Sequence, residues 1–155
     1  MFVANYYSLV TGISKNNEYE IISFDNALLD AKVGDYNIVK VSSILPPECS
    51  YSPLIKQQRK GAVLHMTYAS LTAKGSGFAS SAVAVGIPQD SKNIGVIMEY
   101  SCLERKQYCL ETVNVLVKEA MEKRRIVIKD IFSIGCEIEL SSQSFSTTFA
   151  GLAMW

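Results

Sequence analysis

Over most of the chain, apolar and polar positions follow a strand-like rhythm, and in two places they change to helical spacing. Residues 6–11 read as a short strand. Residues 23–31 read as a helix. Ser23 can cap its N-terminus, and Phe24, Ala27, Leu28 and Ala31 fall on one face. Gly34 and Asp35 then turn the chain into a β-branched run over 36–41 that ends at Ser42 and Ser43. Pro46 and Pro47 prevent regular pairing just beyond. After a polar stretch at 56–60, strands are expected at 62–73 and 78–87, joined by a turn through Lys74, Gly75, Ser76 and Gly77. Residues 94–102 form the next strand, with Glu99 near its end. The longest helix is expected at 104–124, with an apolar line through Cys109, Val113, Leu116 and Ala120. Lys123, Arg124 and Arg125 suit the negative end of its dipole. Strands at 130–140 and 145–154 finish the chain. Runs of strands with two isolated helices predict one α+β domain, an αββα sandwich of mainly antiparallel strands, rather than a doubly wound parallel sheet.

Composition narrows the function classes. With 48% apolar and only 19% charged residues, the chain carries enough core for an ordered domain. Fifteen basic and fifteen acidic residues cancel, which leaves no general electrostatic footprint for nucleic acid or an anionic membrane surface. No segment approaches the roughly 18 apolar residues of a membrane span. Residues 1–10 lack the basic-then-apolar pattern of a secretory signal, so a cytoplasmic protein is expected. Cys49, Cys102, Cys109 and Cys136 show neither CxxC nor zinc-ligand spacing and are read as reduced thiols. One histidine, His65, cannot build a polyhistidine site, and no metal is expected. The uncharged, apolar balance suits an oligomer.

The segment from Asn37 to Pro47 carries the most chemistry. A strand that ends in Ser42-Ser43 and is blocked by two prolines can hold its last peptide bond in a constrained setting. Attack by the Ser43 hydroxyl on the Ser42 carbonyl would turn the amide into an ester. Elimination would then cut the chain and leave a dehydroalanine that hydrolyses to a pyruvoyl group. Such an attack needs a donor for the developing oxyanion, and an amide side chain such as Asn37 is chemically suited. On the residues alone, the ordinary reading is favoured: two serines that simply leave a strand before a proline turn.

The wording of the chain also resembles the pyruvoyl-dependent arginine decarboxylases, particularly the small archaeal type. The matching stretches are 23–31 (SFDNALLDA), 34–37, 41–47 (VSSILPP), 61–63, 82–88 (AVAVGIP) and 95–100 (GVIMEY). The likeness implies self-cleavage between Ser42 and Ser43, with Ser43 becoming the covalent pyruvoyl cofactor. It implies that Asn37 supports cleavage and that Glu99 protonates the product carbon. Asp25 would hold the substrate guanidinium, with Ser42, Leu28, Gly34 and Ile44 around the same pocket. The reaction implied is conversion of arginine to agmatine and carbon dioxide through a Schiff base to the pyruvoyl ketone. A homotrimer or dimer of trimers with sites between neighbours is implied as well.

A carboxylate pairs with a planar guanidinium through two charge-assisted hydrogen bonds. A lone aspartate also accepts lysine or ornithine, so Asp25 specifies a cation more firmly than it specifies arginine. A decarboxylase for histidine, lysine or ornithine and an unprocessed, non-catalytic paralogue stay open as alternatives. Residues 56–60 and His65 depart from the family pattern. His65 is read as a packed or surface residue, and Trp155, Phe145 and Phe149 as core or subunit interface. Gly75-Ser76-Gly77 precedes a β pattern and is not a phosphate loop.

Overall fold

The computed structural model describes residues 1–55 and 59–155, so residues 56–58 of the polar stretch lie outside the described residues. The elements run β1 (Tyr6–Asn17), α1 (Glu20–Asp30), β2 (Asn37–Lys40), β3 (Ile44–Leu45), β4 (Ser50–Tyr51) and β5 (Val63–Ala73). They continue with β6 (Phe78–Pro88), β7 (Gly95–Cys102), α2 (Lys106–Lys123), β8 (Ile128–Glu139) and β9 (Phe145–Met154). One sheet has the order β2-β5-β9-β1-β4 and the other β3-β7-β6-β8. Pairing is antiparallel except for β1 with β4 and β2 with β5.

The period of two along the central strands sorts the core into three layers of contact. On β9, Phe149 and Ala153 face α1, while Ala150, Leu152 and Met154 face the second sheet. On β6, Val83 and Val85 meet that inter-sheet layer, and Ala82 and Ala84 turn to α2. Both strands are covered on both faces, so they read as continuous small apolar runs rather than as alternation. Each helix closes the outside of one sheet, which is the expected αββα arrangement.

Two helix expectations are corrected. Helix α1 begins at Glu20 with Tyr19, not Ser23, in the cap position. Ser23 lies inside the helix and is fully buried. Its hydroxyl lies 2.9 Å from Ser14 Oγ and 2.7 Å from Thr147 Oγ1, and Asn17 Nδ2 donates to it at 3.2 Å. These bonds let the buried polar residues Ser14 and Asn17 stay in strand β1, which therefore runs to Asn17 rather than stopping near Thr11. On α2 the buried line is Cys109, Val113, Val117, Ala120 and Met121. Val117 takes the place expected of Leu116, because i, i+4, i+8 spacing keeps it beneath the helix. The basic run ends the helix as expected: Arg124 is the C-cap, and its guanidinium donates to the Ala120 carbonyl at 2.9 Å.

Gly12 allows the close contact between α1 and β1. A Cβ there would run into the Ala27 carbonyl oxygen and the Ala31 backbone. Cys102 and Cys109 join β7 to α2 through an Sγ–Sγ contact of 3.2 Å, and all four cysteines are free thiols.

Ser23→Ala should lower unfolding stability by about 1–3 kcal/mol, because Ser14, Asn17 and Thr147 lose a buried partner. Denaturant unfolding should record that loss while far-UV circular dichroism keeps the parent helix content. Reduced helix content in the folded variant would instead make Ser23 a helix-initiating residue.

Candidate active site

Strand β2 lies parallel on β5, from Asn37 opposite Val63 to Lys40 opposite Met66. The Val41 N–H carries that attachment one residue further, donating to the Met66 carbonyl at 2.9 Å. Strand β3 belongs to the other sheet, where Ile44 faces Val96. Between these anchors the chain leaves one sheet and enters the other, and Ser42 and Ser43 are the residues in the crossing. The Ser43 carbonyl accepts from Ile97 N–H at 2.9 Å, and the Ser42 carbonyl accepts from Ile44 N–H at 2.9 Å.

Glu99 follows Ile97 by two positions on β7, so it shares the face turned toward the first sheet. Ile97 is buried there in the inter-sheet core. Ser43 Oγ lies 3.5 Å from Glu99 Oε2, at the long limit of a hydrogen bond. Lys40 Nζ stands 3.9 Å from Glu99 Oε1 and 4.6 Å from the centre of the Tyr68 ring. Burial raises the Glu99 carboxyl above the usual range. Lys40, a backbone N–H and the Ser43 hydroxyl pull it part of the way back. The balance holds a proton to higher pH than an exposed glutamate does, which suits a proton donor.

A largely apolar cleft of about 370 Å³ opens on the Ser42 side of the crossing. Phe2, Val41, Ser42, Ile44, His65 and Met154 are among its walls. The Phe2 ring stacks on His65 with centroids 4.6 Å apart. His65 is therefore packed, as expected, but against the residues beside Ser42.

The single chain gathers only part of the expected set. Ser42, Ser43, Ile44 and Glu99 come together around the crossing. Asn37 is exposed at the far end of β2, where its amide donates to the Gly61 carbonyl at 2.7 Å. Asp25 is exposed on α1, and Leu28 packs in the cluster beneath that helix. The Leu28 carbonyl accepts the Gly34 N–H at 3.0 Å. Among the described residues, no hydrogen bond or ion pair joins Asp25 or Asn37 to Ser42, Ser43 or Glu99. Sequence reasoning missed Lys40, Tyr68 and Ile97. Alternation with Ile38 puts Lys40 on the α1 side of β2, beside Tyr68, so no sequence signal pointed to its Nζ reaching Glu99.

A model of the pyruvoyl-dependent arginine decarboxylase family matches residues 6–154. The chain belongs to that family. A pyruvoyl-dependent arginine decarboxylase from Methanococcus maripaludis strain C7 is 33% identical over 152 residues, covering 97% of this chain and 90% of the relative. Relatives of the same name from Methanococcus vannielii and Methanocaldococcus jannaschii are each 35% identical, with the same two coverages. The family name carries the reaction, a carboxy-lyase step on arginine with a covalently bound pyruvoyl group. The residues at the crossing fit that cofactor. A serine stands there with its carbonyl fixed by Ile97 and its hydroxyl turned to a half-buried carboxyl group.

Lys40→Met removes the cation that lowers the Glu99 carboxyl, so Glu99 should lose its proton at higher pH than in the parent. With protonated Glu99 as the active form, the alkaline fall of kcat should move upward in pH. A kcat–pH profile with an unmoved alkaline limb would show that Lys40 does not act through Glu99.

Proposed function

We propose that this chain is a self-processing arginine decarboxylase that cuts itself between Ser42 and Ser43 and uses Ser43 as its cofactor precursor. The observation that carries the reading is the approach of Ser43 Oγ to Glu99 at 3.5 Å, at the sheet-to-sheet crossing of a chain from this family. In the cut, Ser43 Oγ bonds to the Ser42 carbonyl carbon as the peptide C–N bond breaks, and the hydroxyl proton ends on the released nitrogen. The Ser43 Cα proton then passes to water, a Cα–Cβ double bond forms, and the Cβ–Oγ electron pair leaves with the Ser42 carboxylate. One water replaces the nitrogen, which departs as ammonia.

The resulting group supplies a carbonyl that holds the substrate amine and draws electrons from the bond to the departing carboxylate. Glu99 then returns a proton to the product carbon, a role supported by its half-buried, raised carboxyl. Asp25 binds the guanidinium through paired hydrogen bonds. Its exposed place on α1, unconnected to Ser43 within the chain, supports a site completed by a second copy in a homotrimer or dimer of trimers. Exposed Ile21, Ile22 and Leu29 on the same helix supply apolar surface for such a contact. Free cysteines are in keeping with a reducing, cytoplasmic setting. No helix among the described residues is long and apolar enough to cross a membrane.

Intact mass spectrometry of the purified protein should find two pieces, residues 1–42 and a pyruvoyl-blocked 43–155, whereas Ser43→Ala should stay whole. A parent chain that remains uncut with serine at 43 would sink this reading. Glu99→Gln should still be cut but turn over roughly 10²- to 10⁴-fold more slowly. Loss of cleavage in that variant would assign Glu99 to processing instead. For Asp25→Ala, the KM for arginine should rise roughly 10- to 100-fold, the size of a lost charged hydrogen bond. An unchanged KM would remove Asp25 from the binding site.

A further inference from the structure

The Ser42 carbonyl oxygen is the atom that takes up negative charge when Ser43 attacks, and Asn37 does not reach it within the chain. Its amide is engaged with Gly61 at the opposite end of β2. The donor already on that oxygen is the main-chain N–H of Ile44, at 2.9 Å, in a three-residue turn centred on Ser43. The position of β3 explains why this N–H is available. Strand β3 is the edge of its sheet, with β7 on one side only. Ile97 N–H bonds to the Ser43 carbonyl, and the next register pair is Ile44 with Val96. Antiparallel ladders alternate, so a residue that follows a bonded position turns its own N–H and C=O away from the partner strand. The Ile44 N–H therefore faces outward from β7 and folds back on Ser42, while the Ile97 bond holds the Ser43 carbonyl in place.

We propose that the Ile44 main-chain N–H is an oxyanion donor for self-cleavage, polarising the Ser42 carbonyl and stabilising the charge that develops on its oxygen. This rests on the reading that Ser43 is the cofactor precursor. A donor fixed on the future oxyanion before reaction needs no rearrangement during the step, and removing one such donor elsewhere costs about 10²–10³ in rate. The assignment makes Ile44 a residue whose backbone, not its side chain, acts in processing.

Two variants remove the N–H. Ile44→Pro deletes it at an edge position where no ladder bond is lost and proline is tolerated. Replacing Ile44 by its α-hydroxy acid counterpart exchanges N–H for oxygen and keeps the side chain. Ile44→Val retains the N–H and serves as the control. The readout is the fraction of chain cut at 42–43 over time, followed by intact mass and independent of decarboxylase activity. The expected result is parent-like cleavage in Ile44→Val and a roughly 10²-fold or greater slowing in both N–H-deleted chains. Parent-rate cleavage in the α-hydroxy chain would overturn the proposal, and that chain decides the matter if Ile44→Pro fails to fold. A parent chain that does not cut at all would overturn the processing reading itself, a different outcome from a cut that ignores the Ile44 N–H.

Discussion

The crossing between the two sheets is the constraint on which the candidate chemistry depends. It is clamped at both ends by main-chain hydrogen bonds of the same length, 2.9 Å: Val41 to Met66 on one sheet and Ile97 to Ser43 on the other. Neither clamp is local, since each joins the serine segment to a strand well downstream. Because β2 and β3 are both edge strands, the segment is anchored on one side and open on the other. That combination gives fixed backbone geometry together with access to solvent and to the cleft beside Ser42. The two prolines after Leu45 end β3 at once, so the crossing cannot be relaxed by lengthening the strand.

Glu99 is part of the same construction. Its place in the gap between the sheets follows from strand alternation on β7, and its raised carboxyl follows from being there. Lys40 approaches from the other sheet, so the charge balance at Glu99 is set by two strands that the crossing itself holds in register. The contact at 3.9 Å is too long for a tight ion pair, and Lys40 is half exposed. Its influence is a partial counterweight to burial rather than full ionisation of the carboxylate.

Much of the architecture was legible because its cause is local. Valine and alanine runs at strand spacing, the Gly75–Gly77 turn and the basic end of α2 all express their preferences within a few residues. The misplaced start of α1 has a physical reason. Ser23 has the chemistry of a cap, and only the folded contacts with Ser14, Asn17 and Thr147 show that its hydroxyl is used in the core. The site was legible in a different way. Ser43 and Glu99 lie 56 positions apart, and no periodicity joins them. Their association was anticipated through resemblance, while Ile97 and Lys40 required the register of particular strand pairs. Asp25 and Asn37 could be named from motif position, but one chain does not bring them to the serines.

The location of β1 has a consequence for the life of the molecule after the proposed cut. This strand lies between β9 and β4, pairing with β9 from Tyr7 opposite Met154 to Asn17 opposite Phe145. The shorter piece would therefore remain an interior strand donor, held without a covalent link to the rest of the domain. Unfolding would become dissociation, and the midpoint would rise with protein concentration as it does for an obligate complex. Refolding would also have to find a partner molecule where the uncut chain needs only to find itself. The precursor carries the folding instructions in one strand of polymer, and maturation would make the assembled state hard to regain once lost.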